Sequence, residues 1–171
     1  MARVELSPQP TRTSANGLAL IQRFETFLAT PRKGSQGFLE IGWGHVLRPD
    51  EAQVTLVNRQ QAEALLIEDL RVFEIYLQAT IRVELAQHAF DALISLLRDV
   101  GIRAFERSDI RHLIQADKPQ EAARTWRTWE GPRHGARNLE RRHAEANLFL
   151  KASLSFYGHP EDEHFAAYLP E

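Results

Sequence analysis

The chain of 171 residues contains no cysteine, and this absence excludes two kinds of stabilising structure. Without thiols there is neither a disulfide framework nor a thiolate metal site, so the fold must be stabilised by a hydrophobic core. A chain of this length buries enough apolar surface for one domain, and 43% of its residues are hydrophobic. The sequence therefore predicts a single compact domain that folds in a reducing or an oxidising compartment alike.

Long apolar runs are also missing. No stretch approaches the roughly 20 apolar residues that a membrane-spanning helix requires, and the N-terminal segment MARVELSPQPTRTSANG lacks the apolar centre of a secretory signal. We therefore expect a soluble protein made in the cytoplasm, without stable membrane insertion. Residues 1–13 are predicted to form a flexible lead-in.

A large charge of one sign is absent too, because the formal net charge is only −2. This value argues against a protein whose main role is to hold nucleic acid. The segment GPRHGARNLERRH nevertheless collects four arginines. They indicate either a solvated helix face or a patch for an anionic polymer, and the residues concerned are Arg133, Arg137, Arg141 and Arg142.

The pattern of apolar and turn-forming residues divides the chain into two lobes. A helix is predicted from about Asn16 to Thr26, and four glycines then alternate with aromatic and aliphatic residues, as is typical of a short antiparallel hairpin. A long helix begins after the N-cap Asn58. We predict an α+β, mainly helical fold, with a small N-terminal hairpin lobe over about residues 28–57 and a larger C-terminal helical lobe over about residues 58–155, joined by the long helix.

The final segment, residues 156–171, has a different composition. From residue 158 onwards it contains four acidic residues and neither lysine nor arginine. It is predicted to be a disordered acidic end, with a docking segment for a protein partner as the alternative. We expect the protein to be a monomer.

Two carboxylates are candidates for acid–base chemistry. Glu25 lies at the end of the first predicted helix, and Glu40 lies on the glycine-rich segment GFLEIGWGH, beside the apolar Ile41. A carboxylate among apolar residues is costly unless it has a partner or a function. Two carboxylates facing each other across a cleft are the usual means of cleaving a glycosidic bond. Spacing alone is weak support, because the chain has 23 acidic residues.

Further residues in both predicted lobes are expected to have structural or substrate-binding roles. His45 is expected to form a structural ion pair with Asp69 on the long helix, because no second ligand stands at metal-binding spacing to it. Trp43 and Trp129 are candidates for stacking on a sugar, and Arg142 for contacting the substrate. No metal and no cofactor are expected.

The segments LIQRFE and GFLEIGWGH resemble the start of the phage-type lysozymes, glycoside hydrolase family 24. In that family a Glu is followed by a glycine-containing loop with an Asp and then by Thr-Ile-Gly-Tyr-Gly-His, and the spacing from Glu25 to His45 equals the family's. AQHAFDALISLLRDVGIRAFERSDIRHLIQAD is similar to the family's helical core, and LERRHAEANLF to its last helix. The resemblance covers about residues 14–150 and implies a lysozyme-like domain over residues 14–155.

The resemblance also shows where this sequence departs from the family pattern. Glu25 matches the family's catalytic acid, but the family's Asp falls on Gly34 and its Thr falls on Glu40. Trp43 replaces the family's Tyr, and Asp99 stands where an asparagine is often found.

These departures leave two interpretations open. In the first, the carboxylate has moved from position 34 to Glu40, and the protein hydrolyses the glycan strand of bacterial peptidoglycan with Glu25 as general acid and Glu40 as nucleophile or base. In the second, the fold is catalytically degenerate and serves as a cell-wall-binding or phage structural module. The first is preferred, because an acid at a half-buried strand position is improbable unless it is useful.

The resemblance also implies where the protein acts. An endolysin made in the host bacterial cytoplasm acts on the periplasmic cell wall after release or export, and peptidoglycan is then the expected partner. A phage tail lysozyme or an exported toxin is compatible with the same sequence.

Overall fold

The computed structural model describes residues 9–34, 37–129 and 136–151, with the backbone only for residues 136, 137 and 151. These ranges contain a small antiparallel sheet and seven α-helices. The strands are β1 (Leu28–Lys33), β2 (Leu39–Gly42) and β3 (His45–Val46), and the helices are α1 (Ala15–Phe24), α2 (Arg59–Thr80), α3 (Gln87–Val100), α4 (Ile102–Glu106), α5 (Asp109–Gln115), α6 (Pro119–Thr128) and α7 (Ala136–Lys151).

The sheet forms the hairpin lobe, with strand order β1-β2-β3. Glu40 of β2 lies between Arg32 of β1 and Val46 of β3. A tight turn joins β2 to β3, and Gly42 and Gly44 in it have φ values of +64° and +77°. Glycine adopts this region without the steric cost of a Cβ atom, so the GWG sequence fixes the sharp reversal after Glu40.

The long helix α2 connects this lobe to the helical lobe. Its N-cap is Asn58, whose side chain accepts a hydrogen bond from the Gln61 backbone, while the Gln61 side chain accepts one from the Asn58 backbone. This reciprocal capping box satisfies two backbone donors at the helix start. One face of α2 is buried against the sheet and α3, through Ala62, Leu66, Leu70 and Leu77.

Helix α3 is the centre of the helical lobe and is the most buried of the described helices. It contacts α1, α2 and α7, and it ends at Gly101, whose φ of +81° stops the helix. Its apolar residues form a single core with those of α6 and α7, including Phe90, Leu93, Leu97 and Trp126.

Part of the predicted lead-in contacts the helical lobe. The backbone of Thr13 donates to the buried Glu74, and the backbone of Ser14 donates to the buried Asp91. Gln9 accepts a hydrogen bond from the backbone of Leu85. The lead-in is therefore held against α2 and α3 from residue 9 onwards. The segment 156–171 lies outside the described residues, and the predicted domain limits stay a prediction.

The α+β, mainly helical prediction is confirmed. The first helix differs in its limits, because it spans Ala15–Phe24 rather than residues 16–26. Glu25 has φ −94° and ψ 154°, so it leaves the helix and turns towards the sheet. Within the described residues, no helix combines the length and apolar character that a bilayer crossing would need.

Candidate active site

Glu25 lies at the junction between the two lobes. It is the residue directly after α1, and its backbone N–H still donates to Ile21 in the last helical turn. Its side chain is 24% exposed, and its Oε1 accepts a hydrogen bond of 2.9 Å from Nη1 of Arg141. The helix end therefore sets the position of the carboxylate, and Arg141 holds one of its two oxygens.

Arg141 belongs to α7 and is almost completely buried. Besides Glu25, its guanidinium donates to Glu145 and to the backbone oxygen of Ser95, both at 3.0 Å, and lies 3.7 Å from Asp99. Burial alone would lower the pKa of Arg141, but the negative charges of Glu145, Glu25 and Asp99 outweigh it and raise the pKa above its ordinary value. Arg141 is therefore a permanent cation beside Glu25.

A second buried arginine completes this charge cluster. Arg142 is 0% exposed, and its guanidinium contacts both Asp99 and Glu145. The two arginines and these two acids balance in formal charge. Glu25 is the most exposed of the three carboxylates that contact the two arginines.

The second oxygen of Glu25 faces the hairpin. A Cβ atom built on Gly44 would lie 3.9 Å from Oε2 of Glu25 and 3.0 Å from Nη2 of Arg98. Glycine at this position leaves space between the turn and the carboxylate. Arg141 thus binds Oε1, and Oε2 is the oxygen that faces the turn.

Glu40 folds back over Gly34 within the hairpin lobe. A Cβ atom built on Gly34 would lie within 2.9 Å of Cδ and of both carboxylate oxygens of Glu40. The backbone N–H of Gly34 donates to the Phe38 carbonyl at 2.8 Å, which brings the loop across the strand. The Glu40 carboxylate thus occupies the space into which any side chain at position 34 would project.

His45 and Asp69 are brought together as the sequence suggested. The imidazole is 2% exposed, with Nδ1 2.9 Å from Asp69 Oδ1 and Nε2 3.1 Å from Glu51 Oε2. Burial disfavours the imidazolium, but the hydrogen bonds with Glu51 and Asp69 outweigh it and raise the pKa of His45 above 6.5. The protonated ring donates to both carboxylates and joins β3 to α2.

The residues predicted to contact substrate are buried or partly buried. Trp43 is only 5% exposed and packs against Phe27, with ring centroids 5.2 Å apart. The fully buried Arg142 likewise has no surface to offer a polymer. Both side chains are structural in this arrangement, which differs from the predicted substrate contacts. Trp129, at the C-terminal end of α6, is partly buried against the core, and its contact with a sugar stays a prediction.

The arginine-rich segment is also only partly a surface. Arg133 and the side chain of Arg137 lie outside the described residues, whereas Arg141 and Arg142 face inward. The spacing of apolar residues shows which face of a helix is solvated only when the opposite face is apolar. In α7 the buried face carries charged residues that pair with α3, so the spacing does not identify it. Sequence reasoning missed the role of Arg141. The signal that could have found Arg141 is the (i, i+4) spacing of Arg141 and Glu145.

Metal binding has no candidate in the described part of the chain. No group of three or more His, Asp or Glu side chains there has the arrangement of a metal site. The carboxylates near the hairpin are engaged with arginines or with His45, or lie over Gly34.

Comparison with known proteins relates the chain to a family of cell-wall enzymes. The family model described as phage lysozyme matches residues 22–145. The endolysin of Acyrthosiphon pisum secondary endosymbiont phage 1 is 30% identical over 145 residues, which cover 81% of this chain and 98% of that protein.

Solved structures give the same relationship. The muramidase domain of SpmX from Asticaccaulis excentricus is 29% identical with a TM-score of 0.73, covering 81% of this chain and 97% of that one. A mutant of P22 lysozyme is 30% identical with a TM-score of 0.72, covering 81% and 98%. The region that the family model matches, residues 22–145, contains Glu25, Glu40 and the charge cluster.

The raised pKa of His45 predicts how stability depends on pH. The stabilisation is complete below the unfolded pKa of about 6.5 and is lost as the pH rises through the higher folded pKa. We expect Asp69→Asn to lower the free energy of unfolding by about 2 kcal/mol at pH 6, because it removes one of the two carboxylates that bind the His45 imidazolium. The variant should also lose less stability than wild type between about pH 6 and pH 9.

Urea unfolding at both pH values measures this difference. Asp50→Asn is the matched control, because Asp50 is a surface acid of the same lobe, 79% exposed. An Asp69→Asn variant whose stability changes with pH as much as that of wild type would contradict the assignment.

Proposed function

Because the chain belongs to the phage lysozyme family, we propose that it hydrolyses the glycan strand of bacterial peptidoglycan with Glu25 as general acid and Glu40 as the second carboxylate. Family membership makes the protein a glycoside hydrolase. The roles of the two residues are the finer part of the proposal, and the single observation that carries them is the position of the Glu40 carboxylate over Gly34.

Glu25 suits the role of proton donor for three reasons. Its Oε1 is held by Arg141, its Oε2 faces the hairpin turn, and its side chain remains partly exposed. A fixed carboxyl group delivers a proton to a leaving oxygen only if one oxygen is free to carry it.

Glu40 suits the role of partner because of what it replaces. The phage lysozyme pattern has an Asp at the position of Gly34, and here the Glu40 carboxylate fills the space next to the Gly34 Cα. The carboxyl group that is missing at position 34 is thus replaced, beside the same Cα atom, by the carboxyl group of Glu40. Such a carboxylate can stabilise an oxocarbenium-like transition state, attack the anomeric carbon or activate water.

The strand supports this role mechanically. Glu40 is held in register between Arg32 and Val46 of the neighbouring strands, so its backbone is fixed on both sides. A catalytic group on a paired strand is positioned more rigidly than one on a loop. This favours functional retention of the carboxylate over chance tolerance of an acid in a degenerate fold.

The site of action follows from the same proposal. The protein is made in the host bacterial cytoplasm, and it meets peptidoglycan in the periplasm after release or export. It works as a monomer without metal or cofactor.

The first test is removal of the proposed acid. Glu25→Gln keeps an oxygen that accepts from Arg141 but cannot donate an acidic proton, so turnover of purified peptidoglycan should fall by at least about 100-fold. Release of reducing ends measures turnover, and thermal unfolding confirms that the variant is folded. Glu84→Gln, on the exposed loop before α3, should retain wild-type activity.

The opposite result is equally clear. If wild type and Glu25→Gln are equally inert on purified peptidoglycan at every pH, the enzyme proposal fails. Co-sedimentation with the wall without turnover would then support the degenerate, wall-binding alternative.

The second test concerns the stereochemistry of the product. Glu40 has a longer side chain than the family's Thr and crowds the space of an attacking water, so we expect a covalent glycosyl-enzyme and retention of configuration. Retention requires carboxyl groups about 5–5.5 Å apart, whereas inversion requires about 6.5–9.5 Å. Nuclear magnetic resonance of the first-formed anomer measures the outcome, and Glu40→Gln should abolish turnover. An inverted first product would instead make Glu40 a general base.

A further inference from the structure

The turn that follows Glu40 is bound by a side chain from the helical lobe. Nη2 of Arg98, in the last turn of α3, donates to the carbonyl oxygens of Trp43 at 3.1 Å and of Gly44 at 2.8 Å. Carbonyls in a tight turn have no partner within the sheet ladder, so Arg98 supplies the hydrogen bonds that the turn itself lacks.

The same guanidinium lies close to the proposed acid. A Cβ atom built on Gly44 would lie 3.0 Å from Nη2 of Arg98 and 3.9 Å from Oε2 of Glu25. Arg98 also interacts electrostatically with Asp69, the partner of His45. Arg98 is therefore placed where α3, the hairpin turn and Glu25 meet.

A guanidinium at this position has an energetic cost. The Nε atom of Arg98 is buried and has no hydrogen-bond partner. A buried donor without a partner is unfavourable, and an apolar side chain would avoid this penalty. The two hydrogen bonds that the guanidinium donates to the turn offset this penalty.

The geometry of the strand connects this contact to catalysis. Glu40 lies two residues before Gly42, at which β2 enters the turn. A displacement of the turn therefore moves β2, and with it the Glu40 carboxylate, relative to Glu25 on the helical side.

We propose that Arg98 is a positioning residue, which clamps the Gly42–Val46 turn to α3 and so fixes the separation of Glu25 and Glu40 across the two lobes. This inference rests on the proposed function for its effect on the reaction, but not for the clamp itself. Arg98 does not contact the reacting atoms. Its loss should thus slow the chemical step more than it weakens substrate binding.

Steady-state kinetics of three variants test the proposal. Arg98→Met removes both hydrogen bonds, and we expect kcat to fall about 10- to 100-fold while KM changes less than about twofold, because small misplacements of catalytic groups cost rate. Arg98→Lys keeps a charged donor for the two carbonyls and should recover a large part of kcat. Arg103→Met, an exposed arginine of α4, is the matched control and should behave as wild type.

Several results would overturn the proposal. The first is an unchanged kcat in Arg98→Met, and the second is a change in KM alone in that variant. The third is a kcat in Arg98→Lys as low as that of Arg98→Met. Assays run well below the unfolding temperature of every variant exclude simple loss of fold.

Hydrogen exchange separates this proposal from the proposed function. Amides of residues 42–46 should exchange faster in Arg98→Met than in wild type and Arg103→Met. If the wild type proves inert, the proposed function fails, yet faster exchange would still establish the clamp. Unchanged exchange would refute the clamp, whatever the activity.

Discussion

The arrangement around Glu25 depends on the contacts that the Arg141 guanidinium makes. This guanidinium joins the end of α1, through Glu25, to Ser95 and Asp99 of α3 and to its own helix α7. A buried cation of this kind is tolerated only when its charge and its donors are satisfied. The helices must therefore approach in one register, and that register presents the free oxygen of Glu25 to the hairpin.

In the hairpin lobe the main constraint is steric. At Gly34 and Gly44 the absence of a side chain leaves room beside a carboxylate, that of Glu40 in the first case and that of Glu25 in the second. At position 34 the absence of a side chain lets Glu40 fold back over the loop. Glycine at position 34 leaves the space that the Glu40 side chain occupies, so the residues at these two positions depend on each other sterically.

The sequence predicted the features that depend on local periodicity and on turn chemistry. Asn58 with Gln61 marked the start of α2, Gly101 marked the end of α3, and the alternation of glycine with apolar residues marked the hairpin. It did not predict that Arg142 is buried, because a charged residue on an amphipathic helix looks solvent-exposed until its partners on another helix are known. Asp99 and Arg142 are 43 residues apart, and their pairing arises from tertiary packing alone.

The most direct test of this account is a cycle of substitutions at the two coupled positions, followed by release of reducing ends from purified peptidoglycan. The wild type should be active, and Gly34→Asp should be inactive, because the aspartate collides with the Glu40 carboxylate. Glu40→Thr should also be inactive, because it removes the relocated acid. The double variant restores the family arrangement and should recover activity that neither single variant has. Full activity in Glu40→Thr alone would contradict the claim that this carboxylate takes part in catalysis.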